Sequence, residues 1–257
     1  MSILKVDIKA KEYFTNKGEG LLVMSDVGFE IEKGEFLCIV GPSGCGKTTM
    51  LNIIAGLDNH YEGSVLNTGE KARKAHSDRI VIFQELGLFP WLTVQQNVEF
   101  GLKVKGLPKL KRSKISREYL EMVNLGKFSD YFIHELSGGM KQRVALARAL
   151  AVESEILLMD EPFSSLDAQT RDILHEELQR IWALTKKTII FVTHNVREAV
   201  CLGDRVLVFS AFPNSRIKSV FKIDLHRPRQ IESEGLMTKV RPIMEALRPE
   251  IGRTNEQ

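Results

Sequence analysis

Residues 36–49 read FLCIVGPSGCGKTT, a run of five apolar residues followed by a glycine-rich turn, a lysine and two threonines. An unbroken apolar run of this length is typical of a strand buried on both faces of a parallel sheet. The turn matches the pattern G-x-x-x-x-G-K-[ST], and a helical stretch at 49–54 follows it. Strand, glycine-rich turn and helix are the context that this pattern requires. The segment therefore predicts an α/β fold with a binding site for a polyphosphate.

The chemistry expected of this turn follows from its residue types. Glycine lets the backbone approach an anion closely, and the unpaired N–H groups at a helix N-terminus favour negative charge. Lys47 is expected to reach the β- and γ-phosphates, and the Thr48 hydroxyl is expected to bind Mg²⁺. The residues predicted to bind the phosphates are Gly41, Pro42, Ser43, Gly44, Cys45, Gly46, Lys47, Thr48 and Thr49.

The rest of the chain supports the α/β class. Apolar and polar residues alternate at 4–9 and 27–32, which predicts two half-buried antiparallel strands. Further buried strands are predicted at 80–83, 156–159, 189–192 and 205–209, and helices at 140–152, 168–184 and 196–202.

One long segment lacks any strand-like run. Between Gly87 and Val152 only helical patterns occur, so we predict a helical subdomain inserted into the sheet domain. The prediction is one α/β domain over residues 1–225, with a mostly parallel sheet and an antiparallel flank, followed by a short tail at 226–257.

Composition narrows the class further. The chain has 257 residues, 43% of them hydrophobic, and a net charge of +3, which excludes a disordered or collagen-like chain. Its three cysteines, Cys38, Cys45 and Cys201, lack the spacing of a disulfide framework or a zinc site. No apolar run approaches the roughly 20 residues of a membrane-spanning helix. The start at residues 1–7 lacks the features of a secretory signal, so a cytoplasmic location is expected.

Positive charge is concentrated in the predicted helical subdomain. Seven basic residues and no acidic residue occur between 103 and 117, at Lys103, Lys105, Lys109, Lys111, Arg112, Lys114 and Arg117. Such a run is either a solvated face or a surface that contacts anionic lipid headgroups or a partner protein.

Two carboxylates, Asp160 and Glu161, follow the predicted strand at 156–159. Where the strand emerges at the edge of the sheet, Asp160 is expected beside Mg²⁺, directly or through water. Glu161, one residue further on, is expected to polarise the water that attacks the γ-phosphate. Helix capping is the alternative for an isolated pair of this kind.

Residues 136–142 read LSGGMKQ and precede a long helical pattern, so Ser137, Gly138 and Gly139 predict a second helix start that accepts an anion. One nucleotide does not readily use two such sites on one face of a fold. The pattern L-S-G-G-x-x-Q resembles the signature of the ATP-binding cassette (ABC) ATPases. In that family the signature of one subunit closes over ATP held by the phosphate loop of the other, so the implied cofactors are ATP and Mg²⁺.

The resemblance extends over about residues 4–225 and implies roles for further residues. Gln84 resembles the family glutamine that contacts Mg²⁺ or the attacking water, and His194 the histidine that contacts the γ-phosphate. Asp167, in the sequence SSLD at 164–167, resembles the family loop that contacts the other subunit. Tyr13 is the best match to the aromatic that stacks on adenine, although Phe14 lies beside it.

The resemblance also implies partners. These are a second ABC ATPase subunit, identical or closely related, an integral membrane permease, and indirectly a periplasmic or surface solute-binding protein, with no nucleic acid. The chain would then lie on the cytoplasmic face of the membrane. Residues 78–98 and 226–229 resemble importers of the nitrate, sulfonate and taurine type. The alternatives are the ATPase of an exporter and a soluble ABC ATPase acting on nucleic acid or ribosomes; a phosphate-loop kinase or GTPase does not account for LSGGMKQ.

Overall fold

The computed structural model describes residues 2–14, 18, 20–71 and 78–255. The chain divides into two compact units, one formed by Met1–His76 with Lys186–Gln257 and the other by Ser77–Thr185. The last two residues of the predicted polar tail, Glu256 and Gln257, lie outside the described residues.

The first unit contains eight strands and three helices among its described residues. The strands are β1 (Ser2–Phe14), β2 (Gly20–Glu32), β3 (Phe36–Val40), β4 (Glu62–Asn67), β5 (Glu70–Lys71), β8 (Thr188–Thr193), β9 (Arg205–Phe209) and β10 (Ile217–Lys222). The helices are α1 (Lys47–Ala55), α6 (Val196–Leu202) and α7 (Glu234–Asn255).

The second unit is mainly helical. It contains β6 (Arg79–Ile82), β7 (Ile156–Asp160), α2 (Val94–Val104), α3 (Lys109–Met122), α4 (Gly138–Ala151) and α5 (Ala168–Thr185). Two 3₁₀ turns, Gly126–Phe128 and Ile133–Glu135, precede α4. As predicted, residues 87–152 form helices and no strand.

The antiparallel flank is confirmed. In the first unit β2, β1, β4 and β5 form one sheet in this order, and β1 pairs with β2 in antiparallel register, Val6 opposite Phe29 and Ile8 opposite Val27. These apolar residues are buried, while Lys5 and Lys9, which flank Val6 and Ile8 in the sequence, are exposed. Alternation therefore identified the two strands correctly.

Strand β4 was missed because it begins with the sequence Glu62-Gly63. Glycine weakens a strand and usually signals close approach of another backbone. A Cβ on Gly63 would lie 2.0 Å from the Asp7 carbonyl oxygen, and its φ is +122°, so only glycine fits there.

The buried runs form parallel strands as predicted. Within the first unit, neighbouring strands of the sheet follow the order β10, β9, β3, β8. Strand β3 is parallel to both β8 and β9. All five residues of β3 are buried. In the second unit β6 and β7 are parallel.

Two elements near the C-terminus were not predicted. Strand β10 follows residues 205–209, the last strand that the sequence predicts, and it pairs antiparallel with β9. Helix α7 occupies most of the predicted tail and buries Leu236, Val240, Ile243 and Leu247 at helical spacing. It also contains two prolines, a residue type that normally argues against a helix interior.

Candidate functional site

The glycine-rich turn of the first unit connects β3 to α1 and depends on glycine at two positions. Gly44 and Gly46 have φ of +76° and +91°, and Gly46 is the N-cap of α1. A Cβ on Gly46 would lie 2.9 Å from Val23 Cγ1. Both conformation and space therefore exclude a side chain at Gly46.

Lys47 begins α1 and is 5% exposed. Its ammonium donates to the carbonyl oxygens of Gly41 and Pro42, each at 2.9 Å, which folds the turn around the side chain. No side chain caps the start of α1 and no acidic residue lies in its first turn. Ser43 and Thr48, on either side of the N-cap of α1, are exposed. The turn therefore offers an uncapped, positively charged helix start to an anion.

His194 lies at the same edge of the sheet as the turn. β3 is parallel to β8 and Val40 is in register with Thr193, so Gly41 and His194 each follow the last paired residue. The Thr193 hydroxyl donates to the buried Glu198 carboxylate and accepts from the Asn195 N–H at 3.0 Å. These bonds fix the backbone on both sides of His194, whose side chain is exposed. The first unit thus brings together the turn and the predicted histidine.

Tyr13 is held in a different place. Its hydroxyl donates to Asp58 Oδ2 at 3.3 Å, and Lys11 Nζ lies 4.3 Å from the centre of its ring. Asp58 follows the C-terminal end of α1, whereas the glycine-rich turn is at the N-terminal end. Phe14 is 74% exposed, and both aromatic residues line a cavity of about 730 Å³. The contact of Tyr13 with adenine stays a prediction.

In the second unit three predicted side chains share one edge of the β6–β7 pair. Ile82 is in register with Met159, so Gln84 and Glu161 each lie two residues beyond a paired residue. Asp160, the last residue of β7, is 6% exposed, while Gln84 is exposed and Glu161 half-buried. The parallel register accordingly aligns the amide and the carboxylates at the carboxyl ends of the strands.

A tight turn holds Glu161. Its φ is +44°, in the left-handed region, and its carbonyl accepts from the Ser164 hydroxyl at 2.9 Å. Gln142 on α4 donates to the carbonyl of the next residue, Pro162. The glutamine of LSGGMKQ therefore stabilises the turn that carries Glu161.

The predicted signature forms the start of α4. Ser137 is its N-cap and accepts from the Met140 N–H at 3.3 Å. Gly138 is exposed, and a Cβ on Gly139 would lie 2.7 Å from Thr170 Cγ2. As at α1, no acidic residue lies in the first turn. The glycines therefore leave an open helix start and allow the chain around Thr170 to approach it.

Asp167 lies in that neighbouring segment, just before α5. Its carboxylate accepts from the Thr170 N–H at 2.9 Å, and this backbone hydrogen bond lowers the pKa of Asp167. Asp167 is exposed and charged at neutral pH. The second unit thus brings together the signature and the predicted inter-subunit loop.

Arg148, a half-buried arginine on α4, was not among the predicted site residues. Its guanidinium donates to the carbonyl oxygens of Leu86 and Gly87 at 2.6 and 2.7 Å, which fixes the segment that follows Gln84. Burial lowers the pKa of Arg148, which stays charged at neutral pH. A charged residue within the apolar pattern of the predicted helix was the available signal.

The segment beyond Gly87 is organised by Asn97, which sequence analysis also missed. Asn97 is fully buried and exchanges hydrogen bonds with the backbone of Phe89, at 2.8 and 3.1 Å. It also donates to the carbonyls of Leu92 and Thr93. Trp91, between these residues, is 68% exposed. The loop is therefore packed from within and presents one aromatic side chain to solvent.

The predicted importer pattern at 226–229 closes the end of α6. Arg229 donates to the carbonyls of Val200 and Gly203, and Arg227 donates to the Leu202 carbonyl and to Asp204. Burial lowers the pKa of Arg229 to about 10, which leaves it charged at neutral pH. The two arginines satisfy carbonyl groups that a helix end leaves unpaired.

The structure permits Mg²⁺ to be held with few protein ligands. Among the described residues no group of three or more His, Cys, Asp or Glu side chains forms a metal cluster. Mg²⁺ is usually bound by one or two side chains together with substrate phosphates and water. The exposed hydroxyl of Thr48 on the first turn of α1 fits that requirement.

A parallel α/β core with a glycine-rich turn around a buried lysine defines a phosphate-loop nucleotide-binding protein. The model of the ABC transporter family matches residues 24–164. An uncharacterized ABC transporter ATP-binding protein of Methanocaldococcus jannaschii is 48% identical over 96% of this chain and 94% of its own. The aliphatic sulfonates import ATP-binding protein of Bacillus cereus is 44% identical over 88% of this chain and 89% of its own.

Solved structures agree. A dimeric bacterial ABC transporter cassette matches with a TM-score of 0.75 and 33% identity, covering 87% of this chain and all of that chain. The same cassette, bound to ADP and inorganic phosphate in a post-hydrolysis state, matches with a TM-score of 0.74. This chain belongs to the ABC transporter family and is an ABC-type ATPase. Within the described residues, no helix has the length and apolar character needed to cross a membrane.

Proposed function

We propose that this chain is the ATP-hydrolysing subunit of an ABC importer for a small anionic solute such as a sulfonate, taurine, nitrate or bicarbonate. The open helix start of the signature at Ser137–Gly139 carries the proposal. It is a second anion-accepting helix start besides that of α1, which suits ATP bound between two copies. The sulfonate-import relative, 44% identical to this chain, supports the solute class.

In this proposal the first unit binds the triphosphate. Gly41–Thr49 surround the phosphates with backbone N–H groups, Lys47 exchanges its carbonyl contacts for phosphate oxygens, and His194 contacts the γ-phosphate. Tyr13 stacks on adenine. Thr48, Gln84 and Asp160 hold Mg²⁺, which neutralises charge on the phosphates.

Glu161 is the proposed base that polarises the attacking water, because it lies at a strand end in a turn held by two hydrogen bonds. Ser137, Gly138 and Gly139 close over ATP of the partner subunit, and Asp167 contacts that subunit. Hydrolysis removes the γ-phosphate that joins both helix starts, so the dimer opens. This chain lies on the cytoplasmic face of the membrane, where a separate integral membrane permease converts the change into uptake, and a solute-binding protein delivers the solute.

The test combines hydrolysis with the oligomeric state. Glu161→Gln keeps shape but removes the base, so hydrolysis is expected to fall by about two to four orders of magnitude. With ATP and Mg²⁺ the variant is expected to elute as a stable dimer. Ordinary turnover in Glu161→Gln would rule out the assigned role.

Lys47→Ala is the matched control for binding. It removes a phosphate contact, so ATP affinity is expected to fall and no ATP-dependent dimer to form. Unchanged affinity would contradict the assignment of the phosphate loop. Reconstitution with a candidate permease, with radiolabelled sulfonate on either side of the vesicle membrane, then distinguishes uptake from export.

A further inference from the structure

The turn between α2 and α3 is a fixed surface feature of the second unit, here called the α2–α3 tip (residues 103–111). The N–H groups of Gly106 and Leu107 donate to the carbonyls of Lys103 and Leu102, at 3.0 and 3.1 Å. Gly106 has a φ of +77°, so α2 ends in the left-handed motif that closes many helices. The tip is therefore held in one conformation by backbone hydrogen bonds.

Two aliphatic side chains of the tip lie in water. Leu110 is 86% exposed and Val104 is 75% exposed, the two highest values for large hydrophobic side chains in the described chain. Single exposed apolar residues are common. Here, however, both lie in one nine-residue turn and alternate with lysines in the sequence KVKGLPKLK.

The charges of this region are mostly free to act on a partner. Two of the seven basic residues serve the fold: Lys105 donates to the Val152 carbonyl at 2.6 Å, and Arg112 donates to the Leu107 carbonyl at 2.8 Å. The other five are exposed; they are Lys103, Lys109, Lys111, Lys114 and Arg117. None of these five forms an ion pair with a carboxylate of the described residues.

We propose that the α2–α3 tip docks on the anionic surface of a lipid bilayer. Leu110 and Val104 enter the interfacial region, while Lys103, Lys109 and Lys111 lie among the headgroups. Interfacial segments combine these two features, an apolar part and flanking cations. The inference rests on the proposed location at the membrane, and it assigns this chain a lipid contact of its own.

The composition of the tip favours lipid over a protein partner. Four of the five free cations are lysines, and protein interfaces are enriched in arginine and depleted in lysine. A lysine ammonium is a mobile point charge that does not need the fixed geometry of a bidentate contact. Anionic headgroups in a fluid leaflet offer charge without such geometry.

The test is flotation of the full chain, without nucleotide, with vesicles of phosphatidylcholine alone or with about one third phosphatidylglycerol. Binding is expected only to the anionic vesicles and is expected to weaken at high salt. Each lysine at an anionic surface contributes about a fivefold change in partitioning. The triple variant Lys103→Gln, Lys109→Gln, Lys111→Gln is therefore expected to bind on the order of 100-fold more weakly.

A second triple variant removes the same charge elsewhere. Lys33→Gln, Lys127→Gln, Lys222→Gln changes three exposed lysines outside the tip and is expected to float like the unchanged chain. The pair Val104→Ser, Leu110→Ser keeps all charges and is expected to weaken binding by about tenfold or more, because two apolar side chains no longer leave water.

Three results would overturn the proposal: equal binding to neutral vesicles, equal loss in both triple variants, or flotation only when a permease is present in the vesicle. ATP hydrolysis by each variant is measured in solution in parallel. A chain that hydrolyses ATP but does not float refutes the lipid contact alone, whereas failure of hydrolysis in the unchanged chain refutes the proposed function.

Discussion

The buried ion pair between Lys11 and Asp58 provides the most quantitative test of the fold. Lys11 is 2% exposed on β1, and its ammonium lies 2.8 Å from Asp58 Oδ2. The same ammonium donates to the His60 carbonyl, and the Tyr13 hydroxyl donates to Asp58. Asp58→Asn keeps the shape of the side chain but leaves a buried positive charge without its counter-charge.

The expected loss follows from this burial. Breaking a buried pair by removing one partner costs about 3–5 kcal/mol. The Asp58 side chain keeps 16% of its exposure, so water partly compensates and we expect a loss at the lower end, about 3 kcal/mol at neutral pH. Lys11→Met in the same chain removes the stranded charge, and the double variant is expected to recover most of the loss.

The strand itself supplies the control. Lys5 and Glu30 also form an ion pair, at 2.9 Å, but their side chains are 56% and 53% exposed. Glu30→Gln is expected to leave the urea midpoint nearly unchanged, since water screens exposed pairs. The two pairs have nearly the same separation, 2.8 and 2.9 Å, so the difference between their stability losses measures the effect of burial.

The loss should also depend on pH. Burial alone raises the pKa of Asp58, but hydrogen bonds from Lys11, the His60 N–H and Tyr13 outweigh it and hold this pKa below its usual value. The carboxylate therefore stabilises the fold fully above its unfolded pKa of about 3.9, and this contribution disappears as pH falls through the lower folded pKa. Urea unfolding at pH 7 and below pH 4 measures the change. A pH-independent loss, or equal losses in Asp58→Asn and Glu30→Gln, would refute the reasoning.

Two further predictions concern the second unit. Gly139→Ala places a methyl group against Thr170, and ATP hydrolysis is expected to fall on the order of tenfold, the rate equivalent of an overpacking penalty of about 1–2 kcal/mol. Thr170→Ser deletes the opposing methyl and should restore activity in the double variant; failure to rescue would exclude the steric explanation. Arg148→Lys replaces the planar guanidinium, which donates to Leu86 and Gly87 from two fixed nitrogens, with a single ammonium, so turnover is expected to fall while ATP affinity, measured by fluorescence titration, stays constant. Equal losses of both would show that Arg148 supports the whole fold.

The elements that could be predicted are those whose cause is local. β3 is an apolar run, and the turn after it requires glycine at Gly44 and Gly46 because of their positive φ. The starts of α1 and α4 are determined by residues that are neighbours in the sequence, and so are the alternating strands β1 and β2. Sequence patterns report such causes directly, because neighbouring residues determine the backbone conformation.

The elements that were missed depend on residues far apart in the chain. Gly63 is explained only by the Asp7 backbone across the sheet, and Lys11 only by Asp58, 47 residues further on. Arg148 contacts carbonyls 61 and 62 residues before it. Burial of α7 against its unit compensates for its two prolines, which local preference cannot foresee.

The two helix starts are best explained if this chain functions as one subunit of a dimer. α1 has Gly46 as its N-cap, α4 begins with Gly138, and neither helix has an acidic residue in its first turn. A helix start without an anion forgoes about 0.3–1 kcal/mol of stabilisation. Two such helix starts in one chain are explained if a triphosphate bound at α1 of one copy contacts the N-terminus of α4 of another copy. ATP then stabilises the dimer more than the monomer, and its loss by hydrolysis weakens both contacts together, which couples chemistry to a change in assembly.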